Sequence, residues 1–370
     1  MNLLILSAAT GGGHDMRAFA LKEWWMETGY QAKVYHPLED TGGLYGFGSD
    51  LYNFIQRKAP LAHNLYFHFL ESAGLHRQAK LLWGKDKFEK VLKGFRPEVV
   101  ISMHAHLNHA YYDLVQKALP TCKFIIYCGE FSDGGGFSRH WVNPHTDYFT
   151  GPFPSTCKAA VKRGMHISKA KPTGLLLRKD FHKKTSEAKK AEILISLGID
   201  PNKPFVLLAT GANGANNHSA ICKQIIDSDV QSHCEQVVAL CSMNEPLKQA
   251  VENNNEKSNF KFIALSKVDA KRMSVLLSEA FCVLGRPGAG LGAEAIAVGA
   301  SMVFNLCGGI MPQEQNTLKY WEDTLGGFSS ISKPADFSTF LTQKVPAIHE
   351  SPTSQPQVIP LIRNVVCEDL

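Results

Sequence analysis

Short apolar segments rich in β-branched residues alternate with longer helical patterns along the whole chain. The strand candidates are Asn2–Ala8, Ala32–Tyr35, Val99–Met103, Lys123–Tyr127, Tyr148–Thr150, Pro204–Thr210, Gln236–Cys241, Lys261–Ala264, Phe281–Leu284 and Met302–Asn305. Helical patterns such as Met16–Thr28, Asn108–Leu119, Ser219–Ser228 and Val268–Glu279 separate them. This alternation predicts parallel sheets that are covered by helices on both faces.

The alternation breaks between about Gly174 and Pro204, where the chain carries the Lys-rich run Lys183–Lys190. A length of 370 residues fits two domains of roughly 150–200 residues each. We therefore predict an α/β protein with two facing, doubly wound, Rossmann-like domains, 1–175 and 176–340. Ligands of such sheets bind in a cleft at the carboxyl ends of the strands. The tail, 341–370, is predicted to pack back on the N-terminal domain or to fray.

The composition indicates the class of protein. Of the residues, 44% are hydrophobic and 20% are charged, which is typical of soluble globular proteins. The apolar run from Leu3 to Ala9 is too short for a signal peptide. Nine scattered cysteines favour buried free thiols in a reducing compartment, hence the cytoplasm. The net charge of +5 gives no reason to expect nucleic acid as a partner.

Basic residues and aromatic residues are interleaved between Gln56 and Arg96. A helix of this kind can lie on an anionic membrane surface, which predicts peripheral contact with the membrane. The alternative is a solvated helix whose apolar stripe faces the core.

The first candidate for chemistry is the glycine-rich turn from Ala8 to His14, which follows a strand and precedes a helix. Gly11, Gly12 and Gly13 allow close approach of a ligand to the backbone, and the helix N-terminus favours an electron-rich group. A neutral imidazole at His14 could take a proton from an acceptor hydroxyl. The alternative is a tight turn whose histidine caps the helix.

Similar turns recur in the second half. Gly288, Ala289, Gly290 and Gly292 clear space for a diphosphate at a helix N-terminus, and Glu294 on the following turn can accept the hydroxyls of a ribose. Gln313, Glu314 and Asn316 begin another helix and suit sugar hydroxyls. A further glycine turn contains Gly211 and Asn213, and Asn244 follows the next strand. Each turn could also be an ordinary polar helix start.

His104 and His106 end a strand, and Glu130 and Trp141 flank a glycine-rich loop, Gly134–Gly136. The two histidines share a face of the strand, but no cysteine or carboxylate partner shows the spacing of a metal site, so we predict no metal.

Taken together, these elements resemble glycosyltransferase family 28, in particular the monogalactosyldiacylglycerol synthases and bacterial diacylglycerol glucosyltransferases. The resemblance rests on Gly11–His14, Ser102 with His104, Cys241–Glu245, Gly288–Ala295 and Pro312–Asn316, with a looser match at His140–Asp147. The chain departs from the family at Leu291, where the family has Thr or Ser, and at Gly129-Glu130-Phe131, where it has Thr-Asp-Phe.

The resemblance implies a GT-B fold, a UDP-hexose donor and inversion at the anomeric carbon, with no cofactor and no metal. The acceptor is a hydroxyl on a lipid such as diacylglycerol or on a small molecule. It implies His14 as the catalytic base, with Glu130 as second choice, and acceptor contacts from Gly12, Gly13, His104 and Trp141. The donor contacts are Gly211, Asn213, Asn244, Arg286, Gly288, Ala289, Gly290, Leu291, Glu294, Gln313, Glu314 and Asn316. The alternatives are a nucleotide-sugar epimerase or hydrolase of the same fold, and a non-catalytic nucleotide-sugar-binding protein.

Overall fold

The computed structural model describes residues 1–8, 12–39, 71, 77, 82, 84–209, 217–227 and 233–367. These residues form two compact units. The first contains Met1–Arg178, Met311–Lys319 and Pro352–Leu370, and the second contains Lys179–Ile310 and Tyr320–Ser351. The sequence predicted a boundary near residue 175 and placed 311–319 in the C-terminal domain. The first unit instead draws on three separate stretches of the chain.

The first unit alternates strands with helices, as the sequence predicts. Its elements up to Arg178 are β1 (Asn2–Leu6), α1 (Gly13–Met26), β2 (Gln31–Tyr35), α2 (Lys85–Phe95), β3 (Val99–Ser102), α3 (Ala110–Ala118), β4 (Lys123–Tyr127), β5 (Tyr148–Gly151), α4 (Pro154–Lys162) and β6 (Ala170–Pro172). The strands form one parallel sheet in the order β2-β1-β3-β4-β5-β6.

The first sheet is buried on both faces. Leu4 and Leu6 of β1 belong to one apolar cluster, whereas Leu3 and Ile5 belong to another. Successive side chains of a strand point to opposite faces, so these two clusters lie on the two sides of the sheet. Burial of both faces explains why the strands read as continuous apolar runs.

The end of the chain completes the core of the first unit. The C-terminal helix α11 (Val358–Cys367) contributes Val358, Ile359, Ile362 and Val365 to the cluster that also contains Trp25 of α1. The 352–370 stretch therefore covers a face of the first sheet.

The second unit repeats the α/β alternation. Its elements are α5 (Glu187–Ser196), β7 (Phe205–Leu208), α6 (His218–Asp227), β8 (Gln236–Leu240), α7 (Glu245–Glu252), β9 (Lys261–Leu265), α8 (Ala270–Glu279), β10 (Cys282–Gly285), α9 (Ala289–Val298), β11 (Met302–Asn305) and β12 (Ser329–Ile331). The helix α10 (Glu314–Leu325), which precedes β12, belongs to the first unit up to Lys319 and to the second unit from Tyr320. The parallel order β12-β11-β10-β7-β8-β9 is that of a Rossmann sheet. The predicted α/β class with two doubly wound units is thus confirmed.

The basic segment predicted to contact a membrane lies mostly outside the described residues. Of its described part, α2 buries Phe88 and Leu92 completely in the core of the first unit. That arrangement matches the alternative of a surface helix with a core-facing stripe. Among the described residues, none of the helices combines the length and apolarity required to span a membrane.

Eight cysteines between Cys122 and Cys307 are free thiols, and all of these except Cys307 are buried. This is the state predicted from their apolar sequence surroundings.

We expect Ile362→Ala in α11 to lower the free energy of unfolding by about 2–4 kcal/mol, since the side chain is fully buried and its removal leaves a cavity. Urea unfolding followed by circular dichroism measures the change. Arg363→Ala, on the exposed face of the same helix, should change it by less than about 0.5 kcal/mol. Equal effects of the two substitutions would contradict the packing of α11.

Candidate functional site

The strand order of the first sheet brings the turns after β1 and β3 together. The chain leaves β1 toward β2 on one side and returns to β3 on the other, which makes a topological switch point where α/β proteins bind ligands. His14 is the second residue of α1, and Gly12 directly precedes the helix. The φ of Gly12 is 73°, which lies in the left-handed region. Glycine adopts this conformation without steric cost, so the turn after β1 can present the imidazole at the switch point.

The tautomer of His14 is set by one contact. Its Nδ1 lies 2.7 Å from the carbonyl oxygen of Met103, the residue after β3. A carbonyl only accepts, so Nδ1 donates its hydrogen and Nε2 keeps a free lone pair. Burial, reinforced by the charge of Arg17, lowers the pKa of His14 to about 4. The imidazole is therefore neutral at physiological pH, as a base requires.

Further aromatic rings surround His14. The His104 ring centroid is 4.7 Å away, and that of Trp141 is 6.1 Å away. Both were predicted as acceptor contacts from the sequence, and the structure places them beside the candidate base.

The row of imidazoles continues from His104 to His106 at 5.2 Å and from His106 to His140 at 5.7 Å. His140 is fully buried, and its Nδ1 accepts from Nε of Arg77. Burial lowers the pKa of His106 to about 4, so this ring is neutral and packs as an aromatic group. In the sequence, His104 and His106 stand out only as a pair, and no local pattern indicates that their rings continue to His14 and His140.

Glu130, the second-choice base, is bound to Asn316. Its Oε2 accepts from the Asn316 side-chain amide at 2.8 Å. Burial raises the pKa of Glu130 to about 7, although the hydrogen bond from Asn316 and the charge of Arg17 oppose the shift. At neutral pH the carboxyl is therefore close to half protonated.

Asn316 is completely buried and holds two loops together. Its Oδ1 accepts from the backbone N–H of Gly134 at 2.9 Å, and its backbone carbonyl accepts from the hydroxyl of Ser132 at 2.7 Å. The sequence predicted a donor contact for this side chain. That donor contact stays a prediction; within the first unit, both ends of the amide are hydrogen-bonded, and its nitrogen holds Glu130.

The glycines of the 134–136 loop are required by this packing. A Cβ on Gly136 would lie 1.8 Å from the carbonyl oxygen of Pro312, and one on Gly134 would lie 2.3 Å from that of Gln315. Glu314 is also buried, and its Oε2 accepts from the backbone N–H of Met311. This helix-start contact occupies one carboxylate oxygen; a sugar contact from Gln313 or Glu314 stays a prediction.

The second unit carries the predicted diphosphate turn after β10. Gly288 precedes α9, and no side chain caps that helix. A Cβ on Gly288 would meet no atom within 4 Å, so the space over the helix start is open. Uncapped N–H groups at a helix N-terminus favour an anion.

Arg286 stabilises this turn through hydrogen bonds to backbone carbonyl groups. Its guanidinium donates to the carbonyl oxygens of Asn305, Cys307 and Gly309 at 3.1, 3.3 and 2.8 Å. These bonds tie the turn after β10 to the turn after β11. Arg286 was predicted as a donor contact, and the observed bonds give it a positioning role.

Leu291 points away from the open helix start. Its side chain occupies the space that a Cβ on Gly285 would need, at 2.4 Å, so it packs on β10. Leucine in place of a hydroxyl residue therefore changes the packing behind the turn and leaves the backbone N–H groups in place. Glu294, the predicted ribose contact, is 4% exposed.

Two asparagines that sequence analysis missed join the turns after β7 and β11. Asn217 and Asn305 exchange side-chain amide hydrogen bonds of 3.2 and 3.0 Å. The predicted donor residues Gly211 and Asn213, and the glycine Gly11, lie outside the described residues. The sequence signal that could have identified Asn305 is its position as the polar last residue of the apolar strand β11.

Asn244 caps α7, because its Oδ1 accepts from the backbone N–H of Leu247 at 3.1 Å. Its predicted contact with the donor stays a prediction. In the part of the chain that the structure describes, no group of three or more His, Cys, Asp or Glu side chains is placed to hold a metal ion.

Residues 14–176 match the family model described as monogalactosyldiacylglycerol (MGDG) synthase. A probable chloroplastic monogalactosyldiacylglycerol synthase of Glycine max is 26% identical over 90% of this chain and 63% of its own length. A processive diacylglycerol beta-glucosyltransferase of Bacillus licheniformis is 23% identical over 87% of this chain and 81% of its own. The chain thus spans less than two thirds of the soybean relative.

The crystal structure of Acinetobacter baumannii MurG aligns with 99% of each chain at a TM-score of 0.58 and 14% identity. This likeness confirms the predicted GT-B fold class. The resemblance to the monogalactosyldiacylglycerol synthases and diacylglycerol glucosyltransferases is also confirmed, and the chain is a distant sequence relative of both.

Glu130→Gln should stabilise the protein at pH 8 and have little effect at pH 4. The pKa of Glu130 is raised to about 7 from 4.5. The folded state thus holds its proton more tightly than the unfolded state. Wild-type stability is therefore lost as pH rises between 4.5 and 7, on the order of 2–3 kcal/mol, and glutamine abolishes that loss.

Urea unfolding of both proteins from pH 4 to pH 8 measures this difference. Glu23→Gln, on the exposed face of α1, is the matched control. A constant offset between wild type and Glu130→Gln at every pH would contradict the raised pKa of Glu130.

Proposed function

We propose that this protein is an inverting glycosyltransferase that moves a hexose from a UDP-sugar to an acceptor hydroxyl. The observation that carries the proposal is the neutral His14 imidazole, whose Nδ1 is fixed by the Met103 carbonyl at 2.7 Å. This arrangement leaves Nε2 as a proton acceptor beside His104 and Trp141. The sequence relatives, one named a monogalactosyldiacylglycerol synthase and the other a diacylglycerol beta-glucosyltransferase, support the same reaction class.

In the proposed reaction the acceptor oxygen attacks the anomeric carbon of the sugar. The bond between that carbon and the UDP oxygen breaks as the new glycosidic bond forms on the opposite face, so the configuration inverts. Nε2 of His14 takes the proton of the acceptor hydroxyl. Acceptor contacts would come from Gly12, Gly13, His104 and Trp141.

The turn after β10 in the second unit would bind the diphosphate of the donor. The uncapped start of α9, from Gly288 to Leu291, offers backbone N–H groups and a positive helix end to the diphosphate. Glu294 would accept the ribose hydroxyls, and Gln313 and Glu314 would contact the hexose. The same helix end would stabilise the leaving UDP, so we propose that no divalent ion is needed.

The relatives' names point to diacylglycerol as the acceptor, and we propose a lipid hydroxyl as the acceptor. The reaction would take place in the cytoplasm, at the membrane face that presents the lipid. Residues 56–96 carry the basic and aromatic pattern suited to an anionic surface.

His14→Ala should lower turnover on the order of 100-fold or more, because proton transfer contributes roughly that factor. UDP binding should be unchanged, since the donor contacts lie on other residues. Turnover is measured as UDP release with a lipid acceptor, and binding as the thermal shift caused by UDP. Thr28→Ala, at the far end of α1, is the control. Wild-type turnover in His14→Ala would rule out its role as base.

The pH profile of kcat/KM separates the two candidate bases. If His14 is the base, its pKa of about 4 keeps it competent, and the profile is flat from pH 5 to 8. If Glu130 is the base, activity rises through its pKa of about 7. We expect the flat profile. UDP release without any acceptor would instead indicate an epimerase or hydrolase.

Chelation should leave the reaction intact. We expect at least about half of the activity to remain after dialysis against EDTA, because a helix N-terminus replaces the metal in stabilising the leaving diphosphate. Activity is measured by UDP release before and after chelation, and again after Mg²⁺ is restored. Loss on chelation with recovery on Mg²⁺ would overturn this part of the proposal.

A further inference from the structure

Arg17 is an unexplained charge in the first unit. It lies on the buried face of α1, one helical turn after His14, and only 7% of its surface is exposed. Among the described residues, its guanidinium makes no hydrogen bond and no ion pair, and its Nε is buried without a partner. A buried guanidinium normally requires a paired anion or hydrogen-bond acceptors.

Two carboxylates in this part of the first unit, Asp15 beside His14 and Glu130 within reach of the charge of Arg17, are already hydrogen-bonded elsewhere. Asp15 accepts from the Ser7 hydroxyl at 2.6 Å and lies 2.8 Å from Nε2 of His36. Glu130 accepts from Asn316 at 2.8 Å. Arg17 acts on Glu130 only through its charge. Among the described residues, no carboxylate is therefore hydrogen-bonded to the guanidinium.

The backbone around Arg17 makes room for its guanidinium. A Cβ on Gly129 would lie 2.3 Å from the guanidinium carbon and one of its nitrogens, and a Cβ on Gly13 would lie 3.7 Å from a terminal nitrogen. Side chains on a helix point toward its N-terminus, and the guanidinium accordingly reaches the first turn of α1. The residue at 129, where the resembling family has Thr, has to be glycine for this arrangement.

The first turn of α1 adds a second source of positive potential. Gly12 precedes the helix and no side chain caps it, so its first N–H groups lack a side-chain acceptor. Gly12, Gly13 and His14 remain partly exposed. An anion that approaches this turn can meet both the N–H groups and the guanidinium.

We propose that Arg17 and the first turn of α1 bind an anionic group, a phosphate or carboxylate, that the acceptor carries near its reacting hydroxyl. This inference rests on the proposed function, since it specifies the acceptor class. Because His14 lies three residues before Arg17, the hydroxyl that meets the imidazole and the anion belong to one small molecule or one lipid headgroup.

Binding of such an acceptor would also raise the basicity of His14, the proposed catalytic base. The positive charge of Arg17 is the second cause, after burial, of the low pKa of His14. A bound anion neutralises that charge and raises the pKa of the imidazole toward the working pH, where a general base is most effective.

The direct test is the thermal shift caused by inorganic phosphate, with Arg17→Met and Arg17→Lys compared with wild type. We expect phosphate to raise the melting temperature of wild type, and its apparent Kd to weaken roughly tenfold or more in Arg17→Met. Arg17→Lys should fall between them, because it keeps the charge and loses the planar fork. The matched control is Arg163→Met, whose guanidinium is paired with Asp133 at 2.6 Å, and it should respond like wild type.

Each variant is compared with itself without phosphate, so a change in its basal stability does not affect the result. A phosphate response that is equal in wild type and Arg17→Met, or absent from both, overturns the anion site.

Acceptor assays then identify the source of the anion. UDP release is measured with sn-glycerol 3-phosphate, with phosphatidylglycerol vesicles and with diacylglycerol in phosphatidylcholine vesicles. We expect an anionic acceptor to be preferred, and that preference to fall roughly tenfold in Arg17→Met. Turnover of neutral diacylglycerol alone, unchanged in Arg17→Met, overturns the inference and leaves the transferase intact. An Arg17-dependent phosphate shift without turnover of any acceptor contradicts the transferase and retains the anion site.

Discussion

The parallel pairing of β1 with β3 is the constraint on which the first unit's site depends. Leu6 lies opposite Ser102, and the N–H of Met103 donates to the carbonyl of Leu6 at 2.9 Å. This register fixes the level at which both strands end, and with it the carbonyl that holds Nδ1 of His14. A slip of one residue would turn the apolar side chains of β1 to the opposite faces, so core burial and the orientation of the imidazole are set by the same hydrogen bonds.

Around that imidazole, the first unit concentrates buried ionisable groups whose charges influence each other. His14 is kept neutral, and Glu130 is kept close to half protonated. The positive charge of Arg17 lowers the pKa of both groups: it adds to the effect of burial at His14 and opposes the effect of burial at Glu130. In the second unit, by contrast, polar side chains of the site are hydrogen-bonded to neighbouring turns. There Arg286 and the Asn217–Asn305 pair are satisfied by neighbouring turns, and the helix start after Gly288 is left open.

The sequence was sufficient for the fold because its strands are buried on both faces and read as unbroken apolar runs. Lys123–Tyr127 and Met302–Asn305 were predicted with their observed bounds. The edge strands β6 and β12 were missed, since three-residue strands with polar residues give no such signal. The glycine turn at His14 was also found, because a strand followed by glycines and a helix is a local pattern.

What the sequence could not reveal depends on contacts between distant residues. Asn316 lies 186 positions from its partner Glu130, and nothing in either local pattern indicates their pairing. Arg17 looked like an ordinary polar position of a helix, and only the missing Cβ at Gly129 shows how its guanidinium is accommodated. Leu291 stood out in the sequence only as a departure from the family's Thr or Ser, and its packing on Gly285 is visible only in the structure.

The discontinuous make-up of the first unit has a consequence for how the protein is made. Its sheet is synthesised before the second unit, but α11, which covers one face of that sheet, is synthesised only after the second unit. Throughout elongation that apolar face lacks its native cover, while nearly all of the second unit is available to fold. Nascent chains are prone to aggregation through such surfaces, so the first sheet is exposed to that risk until α11 has been made and has packed on it.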